Sequence, residues 1–169
     1  MALTTLDLSG CQTLTCLPES LGRLQALTTL NLSMCEALTC LPESVGQLTA
    51  LVELDLGRCV QLTCLPQSMS RLTALVSLNV CACKRLAALP AWVGQRTAWR
   101  SLGLPPYIRA LPGWVCEQTN LSTLSTADCA SLTSLPEAVG QLAALAKLVI
   151  SSHAMTCLPE LSRWASWRR

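Results

Sequence analysis

Three cysteine pairs of the form C-x4-C lie within the first 64 residues: CQTLTC at 11–16, CEALTC at 35–40 and CVQLTC at 59–64. Thiols at such close spacing could bind zinc, close a disulfide framework, or do no chemistry at all. Zinc knuckles space their paired cysteines as C-x2-C, so that both sulfurs face one ion. Eleven cysteines is an odd number and leaves a thiol over from any complete pairing. The only histidine is His153, so a Cys–His dyad has one candidate base and no partner supported by spacing. The chain has no glycine-rich phosphate loop and no G-x-S-x-G elbow. No catalytic residue, metal ligand or cofactor is expected.

The elements that hold these thiols follow from a repeat. LTTLDLSGCQTLTCLPESLGRLQA (3–26) is followed by LTTLNLSMCEALTCLPESVGQLTA (27–50), with 17 of 24 positions identical. Residues 51–74 and 75–98 continue in step, 99–120 form a unit two residues short, 121–144 return to register, and 145–164 form a last shortened unit. A fixed period of this length marks a solenoid. Within a unit, Leu6 and Leu8 are two apart and share one side of a strand, while Thr5, Asp7 and Ser9 take the other. Pro18 fits the first turn of a short helix, Glu19 suits its N-terminus, and Leu21 and Leu24 face a core. One unit cannot bury its leucines alone, but stacked units can.

Written as L-x-x-L-x-L-x-x-C-x-x-L-x-x-L-P-E-S-x-G-x-L-x-x, the unit resembles the leucine-rich repeats. It is most similar to the intracellular plant-type repeats of immune receptors; similar units occur in bacterial effectors and protist proteins. The resemblance covers residues 3–164. It implies an α/β leucine-rich-repeat solenoid over 1–169 as a single domain of about seven repeats. A parallel β-sheet would form the concave face and short helices and turns the convex one. Family membership of this kind specifies a scaffold rather than a function.

The repeat register then separates the cysteines. Cys11, Cys35, Cys59, Cys83 and Cys129 share a slot that the resemblance places inward as a structural ladder, with Tyr107 and His153 in that slot in the irregular units. Cys16, Cys40, Cys64 and Cys157 form a second column nearer the surface. Neighbouring rungs lie ~5 Å apart, close enough for a disulfide such as Cys16–Cys40. The two cysteines of each C-x4-C therefore point to different faces, and the motif is architecture. The odd cysteine count favours a reducing, intracellular setting.

Two surfaces are candidates for a protein partner. In the family, partners often bind the concave face, and the resemblance implies Asp7, Asn31, Glu53, Asp55 and Asn79; a solvated sheet is the plain alternative. The second is a convex patch of Trp92 and Trp114, which replace the serine of L-P-E-S, with Arg96, Arg100 and Arg109 in the same two units. Filling a gap left by the short unit is the plain alternative there. Pro105 and Pro106 stand at a strand exit, where two missing N–H donors predict a local break near 103–108.

A net charge of +2 argues against nucleic acid as a partner. No apolar run approaches the ~20 residues that cross a bilayer, and the N-terminus has no signal-peptide pattern. Residues 161–169, with Trp164 and Trp167 among arginines, are expected to cap the solenoid. The first repeat begins at Leu3 without a capping segment, which raises a homodimer through this N-terminal repeat. The overall expectation is a non-enzymatic protein-interaction module. The alternatives are the recognition domain of a larger immune receptor or effector enzyme, or a self-associating structural protein.

Overall fold

Short apolar alternations separated by repeating turns bury their leucines by stacking, and the structure, a computed structural model, describes residues 2–158 in that form. Seven strands form one parallel sheet in chain order: β1 (Thr5–Asp7), β2 (Thr29–Asn31), β3 (Glu53–Asp55), β4 (Ser77–Asn79), β5 (Ser101–Gly103), β6 (Thr123–Thr126) and β7 (Lys147–Ile150). Thr5 faces Thr29 and Glu53 faces Ser77, a step of 24 residues, whereas Ser101 faces Thr123. The short unit therefore loses its two residues after the strand and leaves the sheet in register.

Strands alternate as expected. Leu30, Leu54, Leu78, Leu102 and Leu124 are buried beneath the sheet, together with Leu32, Leu56, Val80 and Leu104. Thr126 takes the place of the second inward leucine in β6 and is fully buried. Its hydroxyl donates to the Val149 carbonyl at 3.2 Å, which satisfies the polar atom where an aliphatic side chain would need none. The end rung is less enclosed: Leu6 and Leu8 are half-buried and Leu3 is exposed.

The convex side is made of five-residue 3-10 turns at Glu19–Arg23, Glu43–Gln47, Gln67–Arg71 and Glu137–Gln141. Two units instead form α-helical turns, α1 (Ala91–Gln95) and α2 (Gly113–Cys116). Each turn starts one residue after its proline, so Pro18 caps from outside rather than opening the first turn. The glycine of E-S-x-G allows the turns to stack closely. A Cβ on Gly46 would run into the Ser68 backbone of the next unit. Across the seam before it, Glu19 accepts from the Ser44 N–H at 3.2 Å.

At five of the strand exits one residue adopts the left-handed conformation: Gly10, Met34, Arg58, Ala82 and Asp128, with φ between 59° and 73°. This points the N–H of Gly10, Met34 and Arg58 at the carbonyls of Ser33, Gly57 and Cys81, at 2.7–2.8 Å. A side chain in this region costs about 1–2 kcal/mol, which glycine avoids. Met34 is largely exposed and has little packing to lose. Met34→Gly should therefore stabilise the chain by about 0.5–1 kcal/mol, read as a higher thermal midpoint.

The equivalent residue in the fifth unit is Pro106, whose ring fixes φ near −65° and forbids that turn. The chain takes one extra residue before turning in. Ile108 is then buried in the ladder slot, its N–H donating to the Pro105 carbonyl at 3.3 Å, and Tyr107 is left exposed. This corrects the placement of Tyr107 in the inward slot. His153 is likewise exposed rather than inward. The break expected near 103–108 is thus confined to the turn, because Leu104 N–H still reaches the Ser125 carbonyl at 2.8 Å. The expected C-terminal cap lies outside the described residues.

Candidate functional site

The inward cysteines donate rather than react. Cys35 Sγ lies 3.2 Å from the Leu8 carbonyl, Cys59 Sγ 3.1 Å from Leu32 O, Cys83 Sγ 3.1 Å from Leu56 O and Cys129 Sγ 3.2 Å from Pro105 O. Each thiol thereby occupies a carbonyl of the preceding rung. Burial pushes the Cys59, Cys83 and Cys129 thiols up to about 12, so they stay protonated and able to donate. Cys11, on the end rung, is exposed. Among the described residues no group of three or more His, Cys, Asp or Glu is arranged to hold a metal ion.

The concave column has a structural duty that its residue types alone did not reveal. Asp7, Asn31, Asp55 and Asn79 each accept, through Oδ1, the N–H two residues on, at 2.8–3.0 Å. These side chains close the first four strand exits. Their Asp/Asn alternation also has a cause in hydrogen bonding. An aspartate can only accept, whereas an asparagine amide can donate, and Asn79 Nδ2 donates to Asp55 Oδ1 at 2.9 Å. The Asp7 carboxyl is held below its ordinary value first by the Ser9 backbone N–H, then by the Ser9 hydroxyl, with Asn31 adding to it.

What remains open on this face is a groove of about 420 Å³ crossing β2 to β6. Its floor is low because Ser77, Ser101, Gly103 and Ser125 are small. At Gly103 there is no side chain, and Cys81 Sγ of the rung before reaches Ser125 Oγ of the rung after at 3.4 Å. Glu53 stands exposed on the groove wall, and Lys147 is exposed in the same column on β7. Of the concave candidates, Glu53 is the one not used in closing a strand exit.

The convex patch is built differently from its expectation. Trp92 is 3 % exposed and packs in the core, so it cannot form an exposed pair with Trp114. Trp114 is half-buried and lies against Gly94 of the preceding unit, 3.1 Å from where a Cβ would stand. Beside them the leucine column 24, 48, 72 becomes Arg96 and then Gln118. The Arg96 guanidinium sits 5.4 Å from the Trp92 ring and 5.7 Å from the Trp99 ring. It donates to the carbonyls of Leu75, Met69 and Ser70 at 3.3–3.4 Å. Gln118 is fully buried and donates to the carbonyls of Arg96 and Trp114 at 2.8 and 3.0 Å. Arg100 and Arg109 are exposed, and neither lies over these rings. Arg96 and the tryptophans are therefore a polar–aromatic splice between units. The broken leucine column at 96 and 118 was the sequence signal for it.

A family model for the Leucine Rich Repeat matches residues 2–24, the first rung of this stack. Solved leucine-rich-repeat structures superpose on nearly all of the described solenoid. The fold is that of the leucine-rich repeats. A leucine-rich-repeat protein of Leptospira interrogans is 24% identical with a TM-score of 0.64, over 92% of this chain and 44% of that one. The leucine-rich-repeat domain of the type III effector XopL is 26% identical with a TM-score of 0.63, over 93% and 63%. The Arabidopsis receptor kinase HAESA, solved in complex with the peptide hormone IDA and the co-receptor SERK1, is 21% identical with a TM-score of 0.58, over 94% and 26%. The chain thus spans between 26 and 63% of the length of those three chains. No curated protein matches the sequence. Leucine-rich-repeat domains are typically recognition modules, and among the described residues no helix is long and apolar enough to cross a membrane.

Proposed function

We propose that this leucine-rich-repeat solenoid is a non-catalytic binding module that takes an extended protein segment on its concave face. The observation that carries this is the groove over β2 to β6, with its small polar floor and its one unengaged carboxylate, Glu53. Glu53 and Lys147 share a column four strands apart, about 19 Å at ordinary strand spacing. An extended segment of roughly six residues spans that distance. A basic side chain near Glu53 and an acidic one near Lys147 would complement the two ends. HAESA, solved with a peptide hormone, is a precedent for a peptide partner on this scaffold. The odd number of cysteines supports an intracellular, reducing setting.

Selection of peptides from a random displayed library tests the reading. Binders should carry a basic and an acidic residue at about that separation. Glu53→Lys should weaken them at least tenfold, which is about 1.4 kcal/mol. Ser101→Trp, which fills the groove floor, should abolish binding, with thermal midpoints unchanged in both variants. Binders indifferent to both substitutions would move the site elsewhere.

A further inference from the structure

The two cysteines of each early repeat have separate fates: one enters the core, the other faces solvent. Cys16, Cys40 and Cys64 are exposed free thiols on three successive rungs. The residues just before them fix their spacing. Thr39 N–H donates to the Thr15 carbonyl at 3.2 Å, and Thr63 N–H to the Thr39 carbonyl at 3.1 Å. The Thr39 and Thr63 hydroxyls repeat those bonds at 3.3 and 3.2 Å. Segments bonded in this parallel way run about 4.8 Å apart, inside the ~4.4–6.8 Å Cα window that a disulfide spans. Each sulfur lies 3.9 Å from the hydroxyl of the threonine before it, so the three side chains share one orientation.

We propose that Cys40 is the shared member of a reversible redox pair, forming a disulfide with Cys16 or with Cys64 on reaction with a low-molecular-weight disulfide of the glutathione type. The Cys40 thiolate attacks one sulfur of oxidised glutathione, and the first glutathione leaves as its thiolate. The thiolate of Cys16 or Cys64 then attacks the Cys40 sulfur of the mixed disulfide and releases the second glutathione. The two protein thiols lose two electrons and two protons, and both appear in two reduced glutathiones.

Three thiols in a row behave differently from a pair. One remains reduced beside the bridge and can attack Cys40 in turn, moving the bridge one rung along the stack. An exposed bridge across adjacent rungs is readily reduced, which suits a reporter of redox state rather than a permanent staple. The same column supplies its own control in Cys157, which is exposed but has Ser134 on the neighbouring rung. Cys35, Cys59, Cys83 and Cys129 are sealed in the core.

The test treats the folded full chain with excess oxidised glutathione, blocks residual thiols, and maps tryptic peptides by mass. Cleavage after Arg23 and Arg58 puts Cys16, Cys40 and Cys64 on three different peptides. The expected products are Cys16–Cys40 and Cys40–Cys64 bridges within one chain, with Cys157 carrying a single glutathione. Cys40→Ser should reduce bridging more than tenfold and leave Cys16 and Cys64 separately glutathionylated. Cys16→Ser should retain the Cys40–Cys64 bridge. All three positions are exposed, so an unchanged melting curve checks that each variant is folded. Glutathione on all three cysteines without a bridge would overturn the proposal, as would bridges only between chains, or bridging that survives Cys40→Ser.

Discussion

Trp99→Ala is expected to lower the unfolding free energy by about 3–5 kcal/mol, as loss of a fully buried tryptophan does. The ring is 0% exposed and stands where other units begin with leucine. Its Nε1–H donates to the Val93 carbonyl at 2.9 Å, so the indole fills volume and also satisfies a carbonyl of α1. The ring is one of the two faces that hold the Arg96 guanidinium, which burial draws below its ordinary pKa. Alanine would leave that cation beside an apolar cavity. Trp99→Leu restores the leucine of the repeat and should recover part of the loss, but not the cation–π contact or the bond to Val93. In a solenoid each rung depends on its neighbours, so hydrogen exchange should accelerate first around β4 and β5. A loss below 1 kcal/mol in urea titration would show that the splice carries no stability.

The second large effect is with alkali. The unfolded chain releases thiol protons near the ordinary value of 9.0, whereas Cys59, Cys83 and Cys129 hold theirs to about 12 because the core will not solvate a thiolate. Between those values the folded state binds more protons than the unfolded one. Stability from these groups is therefore complete below pH 9 and is lost as pH rises toward 12. The urea midpoint should fall steeply over that window, with a proton linkage approaching three from these thiols. Cys59→Ala should cost stability at pH 7 through the lost bond and volume, yet flatten the alkaline slope by one proton. A slope unchanged by that substitution would place the alkaline transition on other groups.

The leucine columns were legible because each repeat states them again, and seven statements of one pattern leave little freedom for the sheet. What escaped depended on pairs of changes in neighbouring units. Trp92 was compared with Ser20 and Ser44 as a surface column, yet Ser44 is itself buried, and Trp92 packs inside with the Arg96 guanidinium over its ring. Tyr107 sat in the inward slot by counting, but the proline before it cannot take the left-handed turn that the count assumes. The Asp/Asn alternation is visible in the repeat. Its hydrogen-bond logic required knowing that Oδ1 faces the strand exit. The groove's partner has no such signature, since small polar residues on a sheet specify room more than identity.

The turn at Pro106 has a mechanical consequence. Tension along the stack passes through the rung-to-rung bonds in series, and a series is as strong as its weakest seam. Gly10, Met34 and Arg58 each tie a strand exit to the next rung, but Pro106 has no N–H to offer Ala127. The seam between β5 and β6 is held there by a thiol, Cys129, resting on the Pro105 carbonyl. Among the described residues no strand exit past Arg58 makes that tie, so under load the stack would part on the C-terminal side of β4 and leave the first four rungs as one intact spring.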